Sequence, residues 1–78
     1  MAQGVWRSFI EEQLRAGTTG LYAKSLRRME RELLTQVLRH TDGNQLQAAK
    51  ILGITRGSLR SKLRELGISI ERTITSED

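Results

Sequence analysis

The chain has 78 residues, which is enough for one small domain with a modest core, and its net charge is +4. It has no cysteine and a single histidine, which excludes disulfides, thiolate metal sites and histidine clusters, and we expect no cofactor. It shows neither a signal-peptide pattern nor the roughly 18 consecutive apolar residues of a membrane helix, so we expect a cytoplasmic protein with no membrane partner.

The first predicted helix leads into a loop bounded by glycines. The apolar residues of this helix recur at helical spacing and are Val5, Trp6, Phe9, Ile10 and Leu14. The loop that follows, residues 17–20, reads GTTG and lacks the Gly-Lys-Ser/Thr ending of a phosphate-binding loop. We therefore assign the loop no role in nucleotide binding.

The second predicted helix, Leu21 to His40, has an amphipathic pattern with near-heptad spacing. On its outer side, Arg28 and Glu32 are spaced for an ion pair between residues four apart. Gly43 follows as a left-handed cap. The apolar stripe of this helix consists of Tyr22, Leu26, Met29, Leu33 and Val37, widened by Leu34 and Leu38.

Two shorter helices are predicted next, each with a capping residue at its start. Asn44 caps a third helix, which stops at Gly53, and Thr55 caps a fourth helix, which closes at Gly67. The remaining residues, 69–78, end in acidic side chains, and we expect either a frayed extension or disorder there.

The third and fourth helices match a helix-turn-helix, in which two short helices meet at a tight turn. Gly53 can adopt the positive φ that such a turn needs. Ala49 is small enough for the helices to cross closely, and Ile54 is placed to fill the space between them. The fourth helix is expected to be anchored by its inner leucines, which are Leu59, Leu63 and Leu66.

The free faces of the fourth helix are basic. Five basic residues and one acidic residue lie between positions 44 and 66, which is the densest basic excess in the chain and is typical of a polyanion-binding surface. Arg56 and Arg60 lie one turn apart and suit the guanine edges of a major groove. Lys62 and Arg64 are better placed for phosphates, as are the free N–H groups at the starts of both helices.

Gly57 raises a separate question, because glycine in a helix is unfavourable by about 1 kcal/mol relative to alanine. It lies in the first turn of the fourth helix, where a missing Cβ would let another surface approach closely. That surface is either DNA or the preceding helix, and the sequence does not separate the two.

Residues 43–68 read GNQLQAAKILGITRGSLRSKLRELGI. The GNQ, the AA, the GI turn and the RGSLR-K-L-LG run resemble, in this order, the Fis-type helix-turn-helix family. That family includes the bacterial nucleoid protein Fis and the C-terminal domains of NtrC-type transcription activators. The sequence departs from Fis at Ser61 and Glu65, where Fis is basic, and this favours a regulator over a broadly non-specific architectural binder.

The resemblance implies an all-α fold of four helices. Residues 1–42 would be dimerisation helices that intertwine into a homodimer core, residues 43–68 the DNA-binding unit, and residues 69–78 a C-terminal tail. It also implies backbone contacts from the third helix, groove contacts from the start of the fourth, and phosphate contacts further along. In this order, the contacting residues would be Asn44, Gln45 and Gln47; Thr55, Arg56, Ser58 and Arg60; and Lys62 and Arg64.

We interpret the apolar face of the first two helices as a dimer seam rather than a single-chain core. A monomer of this size could not cover both amphipathic helices well. The expected dimerisation residues are Trp6, Phe9, Ile10, Leu14, Tyr22, Leu26, Met29, Leu33 and Val37.

The function expected from these features is sequence-specific binding of double-stranded DNA by a dimeric bacterial transcription regulator. We expect no catalysis, because the chain lacks a carboxylate pair or nucleophile set of convincing spacing. In an NtrC-type protein, receiver and ATPase domains would lie N-terminal to Met1. Two alternatives stay open: an architectural nucleoid protein that bends DNA, and a helical module that binds another protein.

Overall fold

Four α-helices make up the described part of the chain. The structure is a computed structural model and describes residues 2–69. The helices are α1 Ala2–Arg15, α2 Leu21–His40, α3 Gln45–Leu52 and α4 Arg56–Leu66, with no strand within that range, so the all-α fold is confirmed. Apart from Ser69, the expected tail lies outside the described residues. None of the helices in the described range is long and apolar enough to cross a membrane.

Side-chain caps define where α3 and α4 begin. The Asn44 side-chain oxygen accepts a hydrogen bond from the Gln47 N–H at 3.0 Å. The Thr55 hydroxyl oxygen accepts one from the Ser58 N–H, also at 3.0 Å. Each bond satisfies an N–H that has no partner inside its own helix, and such a cap stabilises a helix by about 1 kcal/mol. Both predicted caps are therefore confirmed.

The turn between α3 and α4 has the geometry that its glycine predicts. Gly53 has φ +75° and donates its N–H to the Ala49 carbonyl at 2.9 Å. The Ile54 N–H donates to the same carbonyl at 3.0 Å, and the Ile54 side chain packs against the core. Most residues with a Cβ would be strained by about 1–2 kcal/mol in this left-handed conformation, so the turn favours glycine.

In the turn between α2 and α3, the left-handed conformation begins one residue earlier than the sequence predicts. Gly43 has φ +83°, as expected of a left-handed cap, but Asp42 before it is left-handed too, with φ +58°. Aspartate tolerates this conformation better than most residues, because its short side chain can bond to the local backbone. The Gly43 N–H returns to the Leu38 carbonyl at 2.8 Å, which closes the end of α2.

A single core joins the helix-turn-helix to the C-terminal half of α2. Leu38 and Leu59 are both 0% exposed and are the largest fully buried side chains among the described residues. Thr41 is buried at the edge of this core, and its hydroxyl donates to the Leu38 carbonyl at 3.3 Å. The buried apolar residues are Leu34 and Leu38 from α2, Ala48 and Ala49 from α3, and Leu59, Leu63 and Leu66 from α4.

The remaining apolar surface is left uncovered by the single chain. Tyr22 is 80% exposed, and on α3 Leu46 and Ile51 are also exposed, because a helix of eight residues buries only one face. Of the stripe, only the widening residues Leu34 and Leu38 belong to the single-chain core. Val37 differs from the rest of the stripe, since it is half-buried and packs against the core. The exposed members on α1 and α2 are Val5, Ile10, Leu14, Tyr22, Leu26, Met29 and Leu33.

The outer side of α2 does not form the expected ion pair. The Arg28 guanidinium lies over the Phe9 ring at 4.5 Å and the Trp6 ring at 5.9 Å, and these two rings meet edge to face at 5.6 Å. Glu32 accepts instead from the Gln36 amide at 2.6 Å. The prediction of an Arg28–Glu32 pair is wrong, because Arg28 lies on the rings of α1 and Glu32 bonds to Gln36.

We expect Leu38→Ala to lower the free energy of unfolding by about 2–5 kcal/mol, since it opens a cavity where α2, α3 and α4 meet. Leu46→Ala is the matched control, because Leu46 is 58% exposed and surface substitutions change stability by about 0.5 kcal/mol or less. Urea unfolding followed by circular dichroism measures both midpoints. Similar losses in the two variants would contradict the assignment of the core.

Candidate nucleic-acid interface

The buried leucines of α4 determine which of its side chains reach solvent. Leu59, Leu63 and Leu66 hold one face of α4 against the core. An α-helix has 3.6 residues per turn, so residues four apart lie on nearly the same side. The arginines of α4 recur at this step and form one exposed row, which we call the arginine row: Arg56, Arg60 and Arg64.

The arginine row has no partners within the described part of the chain. None of its three guanidinium groups makes a side-chain hydrogen bond or an ion pair with another described residue. Glu65 is the single acidic residue of α4 and is itself exposed. Because arginine stays charged and has five donors in a planar fork, an unpaired row of this kind suits planar acceptors on bases and phosphates.

Lys62 is placed differently from the arginine row. Its ammonium lies 3.2 Å from the Glu30 carboxylate of α2, and the two side chains are 38% and 37% exposed. Lys62 is thus the one predicted contact residue whose charge is paired across the described structure. Sequence reasoning missed Glu30, although its spacing from Leu34 and Leu38 places all three on the same side of α2.

The starts of α3 and α4 both keep hydrogen-bond donors at the surface. The cap bonds use oxygen acceptors, so the amide nitrogen of Asn44 and the hydroxyl proton of Thr55 remain as donors on exposed residues. The first two backbone N–H groups of each helix also have no partner within the helix. These groups, together with the dipole of each helix, favour an anion.

The polar residues near these caps differ in exposure. Gln47 is exposed, whereas Gln45 and Ser58 are half-buried. The side-chain oxygen of Gln45 is buried and has no hydrogen-bond partner among the described residues. Gln45 is therefore held partly within the protein and presents less of its side chain than Gln47 does.

Gly57 occupies open space at the start of α4. A Cβ built on this residue would have no neighbour within 4 Å, and its φ is not positive. Neither the packing of α3 nor the local backbone therefore requires glycine here. Of the two surfaces that the sequence left open, the preceding helix is contradicted, and an external surface remains.

The chain resembles known bacterial regulators over most of its described length. The family model described as bacterial regulatory protein, Fis family, matches residues 25–66, which include α3, α4 and most of α2. A Fis-like DNA-binding protein of Xylella fastidiosa is 44% identical over 64 residues, which cover 82% of this chain and 71% of that protein. No solved structure matches the chain significantly.

Two further relatives are much longer proteins. The DNA-binding transcriptional regulator NtrC of Rhizobium meliloti is 47% identical over 58 residues, which are 74% of this chain and 12% of NtrC. NtrC of Escherichia coli is 43% identical over 60 residues, which are 77% of this chain and 13% of NtrC. The chain thus spans about an eighth of the length of these regulators. The family match and the Xylella relative together show that the chain belongs to the Fis family of bacterial regulatory proteins and that its helix-turn-helix is a DNA-binding domain.

Proposed function

We propose that the chain is the sequence-specific DNA-binding part of a dimeric NtrC-type transcription regulator. The observation that carries the proposal is the arginine row, which faces solvent without partners while the opposite face of α4 is buried. A helix held in this way can enter a major groove, which is wide enough to admit it. In the bacterial cell, this function places the protein on the nucleoid.

Base recognition is assigned to the first half of α4. Residues at the start of a recognition helix reach base edges in the groove, and Arg56 and Arg60 are exposed there. Each can bond two acceptors of one guanine, which discriminates against other bases by about 1–3 kcal/mol. Thr55 and Ser58 flank these arginines and add hydroxyl groups that can bond to either a base or a phosphate.

Phosphate contacts are assigned to both sides of this region. Arg64 continues the arginine row by one turn, where charge matters more than base identity. On α3, the amide of Asn44 and the exposed side chain of Gln47 lie at the helix start, where N–H groups favour a phosphate. Gln45, which is half-buried, would make its contact mainly through the backbone N–H.

Dimerisation is assigned to the uncovered apolar surface of α1 and α2. That surface includes Leu26, Met29 and Leu33, which lie on one side of α2. A second copy that covered this surface would bury the apolar area that the single chain leaves in water. Two recognition helices would then meet half-sites about 34–36 Å apart, in successive turns of the duplex.

The balance between a regulator and an architectural protein depends on charge outside the arginine row. Ser61 and Glu65 are both exposed on α4 and supply no positive charge. Bending DNA around a protein requires many phosphate contacts along the flanks to offset the deformation. A regulator that reads a defined operator needs fewer phosphate contacts. In an NtrC-type protein, receiver and ATPase domains would precede this part of the chain.

We expect Arg56→Ala to lose preference for a selected operator while its binding to random duplexes stays close to that of the wild type. Arg64→Ala is the matched control and should weaken both kinds of DNA by a similar factor, since a phosphate contact carries no sequence information. Selection of random duplexes by the purified protein supplies the operator, and titrations at two salt concentrations measure the affinities. No recovered consensus would favour the architectural alternative, and no DNA binding at about 50 mM salt would favour the protein-binding module.

We expect Gly57→Ala to keep or raise the free energy of unfolding, by up to about 1 kcal/mol, because the added Cβ meets open space in a helix. Its affinity for the operator should fall severalfold if DNA approaches the start of α4 closely. Gly4→Ala makes the same change at another open helical position, in α1, and should leave the affinity unchanged. Equal affinities for Gly57→Ala and the wild type would remove Gly57 from the interface.

We expect Met29→Glu to convert the dimer to a folded monomer, because it places a charge in the centre of the proposed seam. Met29 is exposed within one chain, so the helices of the monomer should remain. Ile51→Glu changes a similarly exposed apolar residue on α3 and should leave the oligomeric state unaltered. Sedimentation equilibrium measures the mass of each variant, and a dimeric Met29→Glu protein would contradict this seam.

A further inference from the structure

We propose that the ion pair between Lys62 and Glu30 holds the helix-turn-helix at a fixed angle on α2 and so sets the spacing of the two recognition helices. The proposal rests on the proposed DNA-binding dimer. It assigns Lys62 and Glu30 a positioning role, in contrast to the phosphate contact that the sequence predicts for Lys62.

The pair extends the contact between α2 and α4 beyond its apolar part. Glu30, Leu34 and Leu38 recur at steps of four, so they share the side of α2 that faces the helix-turn-helix. The two leucines of this series are buried in the core, and Glu30 continues it towards the start of α2. On α4, Lys62 adjoins the buried Leu59 face, and its ammonium reaches the Glu30 carboxylate at 3.2 Å.

The position of the pair gives it leverage over the angle between the helices. Contacts between leucine side chains are non-directional and tolerate small rotations. Glu30 lies about 12 Å along α2 from Leu38, so a rotation of about 5° centred on Leu38 moves the carboxylate by about 1 Å. A shift of that size lengthens the 3.2 Å contact unless both side chains change conformation to follow it. The pair therefore favours the observed angle over rotated ones, by no more than the factor of about five that an exposed pair is worth.

The angle matters for DNA because α2 also carries the proposed dimer seam. Met29 is adjacent to Glu30 in the chain and belongs to the exposed stripe, on a different side of the helix. A change in the angle between α2 and α4 therefore moves α4 relative to the dimer axis. In the dimer, this displaces both recognition helices. A dimer that meets two half-sites at once is sensitive to this displacement, whereas one helix in one groove is not.

The alternative is that Lys62 leaves Glu30 to bind a phosphate. Both side chains are more than a third exposed, so solvent reaches the pair and an exchange of partners is physically open. The two roles predict opposite results when Glu30 is removed. Loss of a positioning contact weakens operator binding, whereas release of a lysine for phosphate, with one less negative charge, strengthens it.

The test compares Glu30→Ala with Glu32→Ala, which makes the same charge change on the exposed side of α2. The probes are the duplex selected by the wild-type protein, the same duplex with its half-site spacing changed by one base pair, and a single half-site. For Glu30→Ala we expect about three- to tenfold weaker binding to the selected duplex, less discrimination between spacings, and a half-site affinity equal to that of Glu32→Ala. The magnitude follows because one exposed pair is worth a factor of about five at most and both protomers contribute. Glu32→Ala should behave as the wild type or bind slightly more tightly.

A charge exchange completes the test. Glu30→Lys combined with Lys62→Glu leaves the net charge unchanged and should restore both affinity and spacing preference, whereas Lys62→Glu alone should lose both. Tighter binding by Glu30→Ala, equal behaviour of the two alanine variants, or failure of the exchange despite a wild-type urea midpoint would overturn the positioning role. If the wild-type protein selects no duplex, the proposed function and this inference fail together; if it does select one, only the inference is at stake.

Discussion

The burial of Leu38 against the helix-turn-helix is the contact on which the other features of the structure depend. Leu38 and Leu59 are fully enclosed, and the small side chains Ala48 and Ala49 allow α3 to approach them. This packing turns the leucine face of α4 inward, and the arginine row points outward as a geometric consequence. Without this core, α4 would be a basic helix of eleven residues, too short to be stable alone in water.

Helix α2 completes the core, but it also carries apolar side chains that the single chain leaves exposed. One side of α2 is buried by α3 and α4, but its exposed stripe and the apolar residues of α1 remain in water. A domain of this size buries little surface on folding, so apolar side chains left in water lower its stability appreciably. Association through α2 would resolve it, and it would also make α2 the element that connects the seam of a dimer to both recognition helices.

Features decided by neighbouring residues were predictable from the sequence, and features decided by distant residues were not. The caps Asn44 and Thr55, the positive φ of Gly53 and the inward leucines of α4 follow from local hydrogen bonding, sterics and helical spacing, and all are confirmed. The partner of Lys62 lies 32 residues away, so the sequence showed a free basic residue where the structure has an ion pair. The partners of Arg28 lie on another helix, and the sequence favoured the nearer carboxylate. The surroundings of Gly57 were not predictable from the sequence either, because only the folded structure shows that no atom lies near its Cβ position.

Some basic residues of the described chain have a partner within the fold, and the arginine row does not. Arg28 is held over aromatic rings and Lys62 is held by Glu30, so each already has a partner in the folded chain. The arginine row has none among the described residues, although three like charges along one side of a helix repel one another. Evenly scattered pairing would be the cheaper arrangement for the free domain. A row of unpaired cations on one side of a helix attracts an anion from outside the chain, and the phosphates of a duplex carry negative charge at such a density.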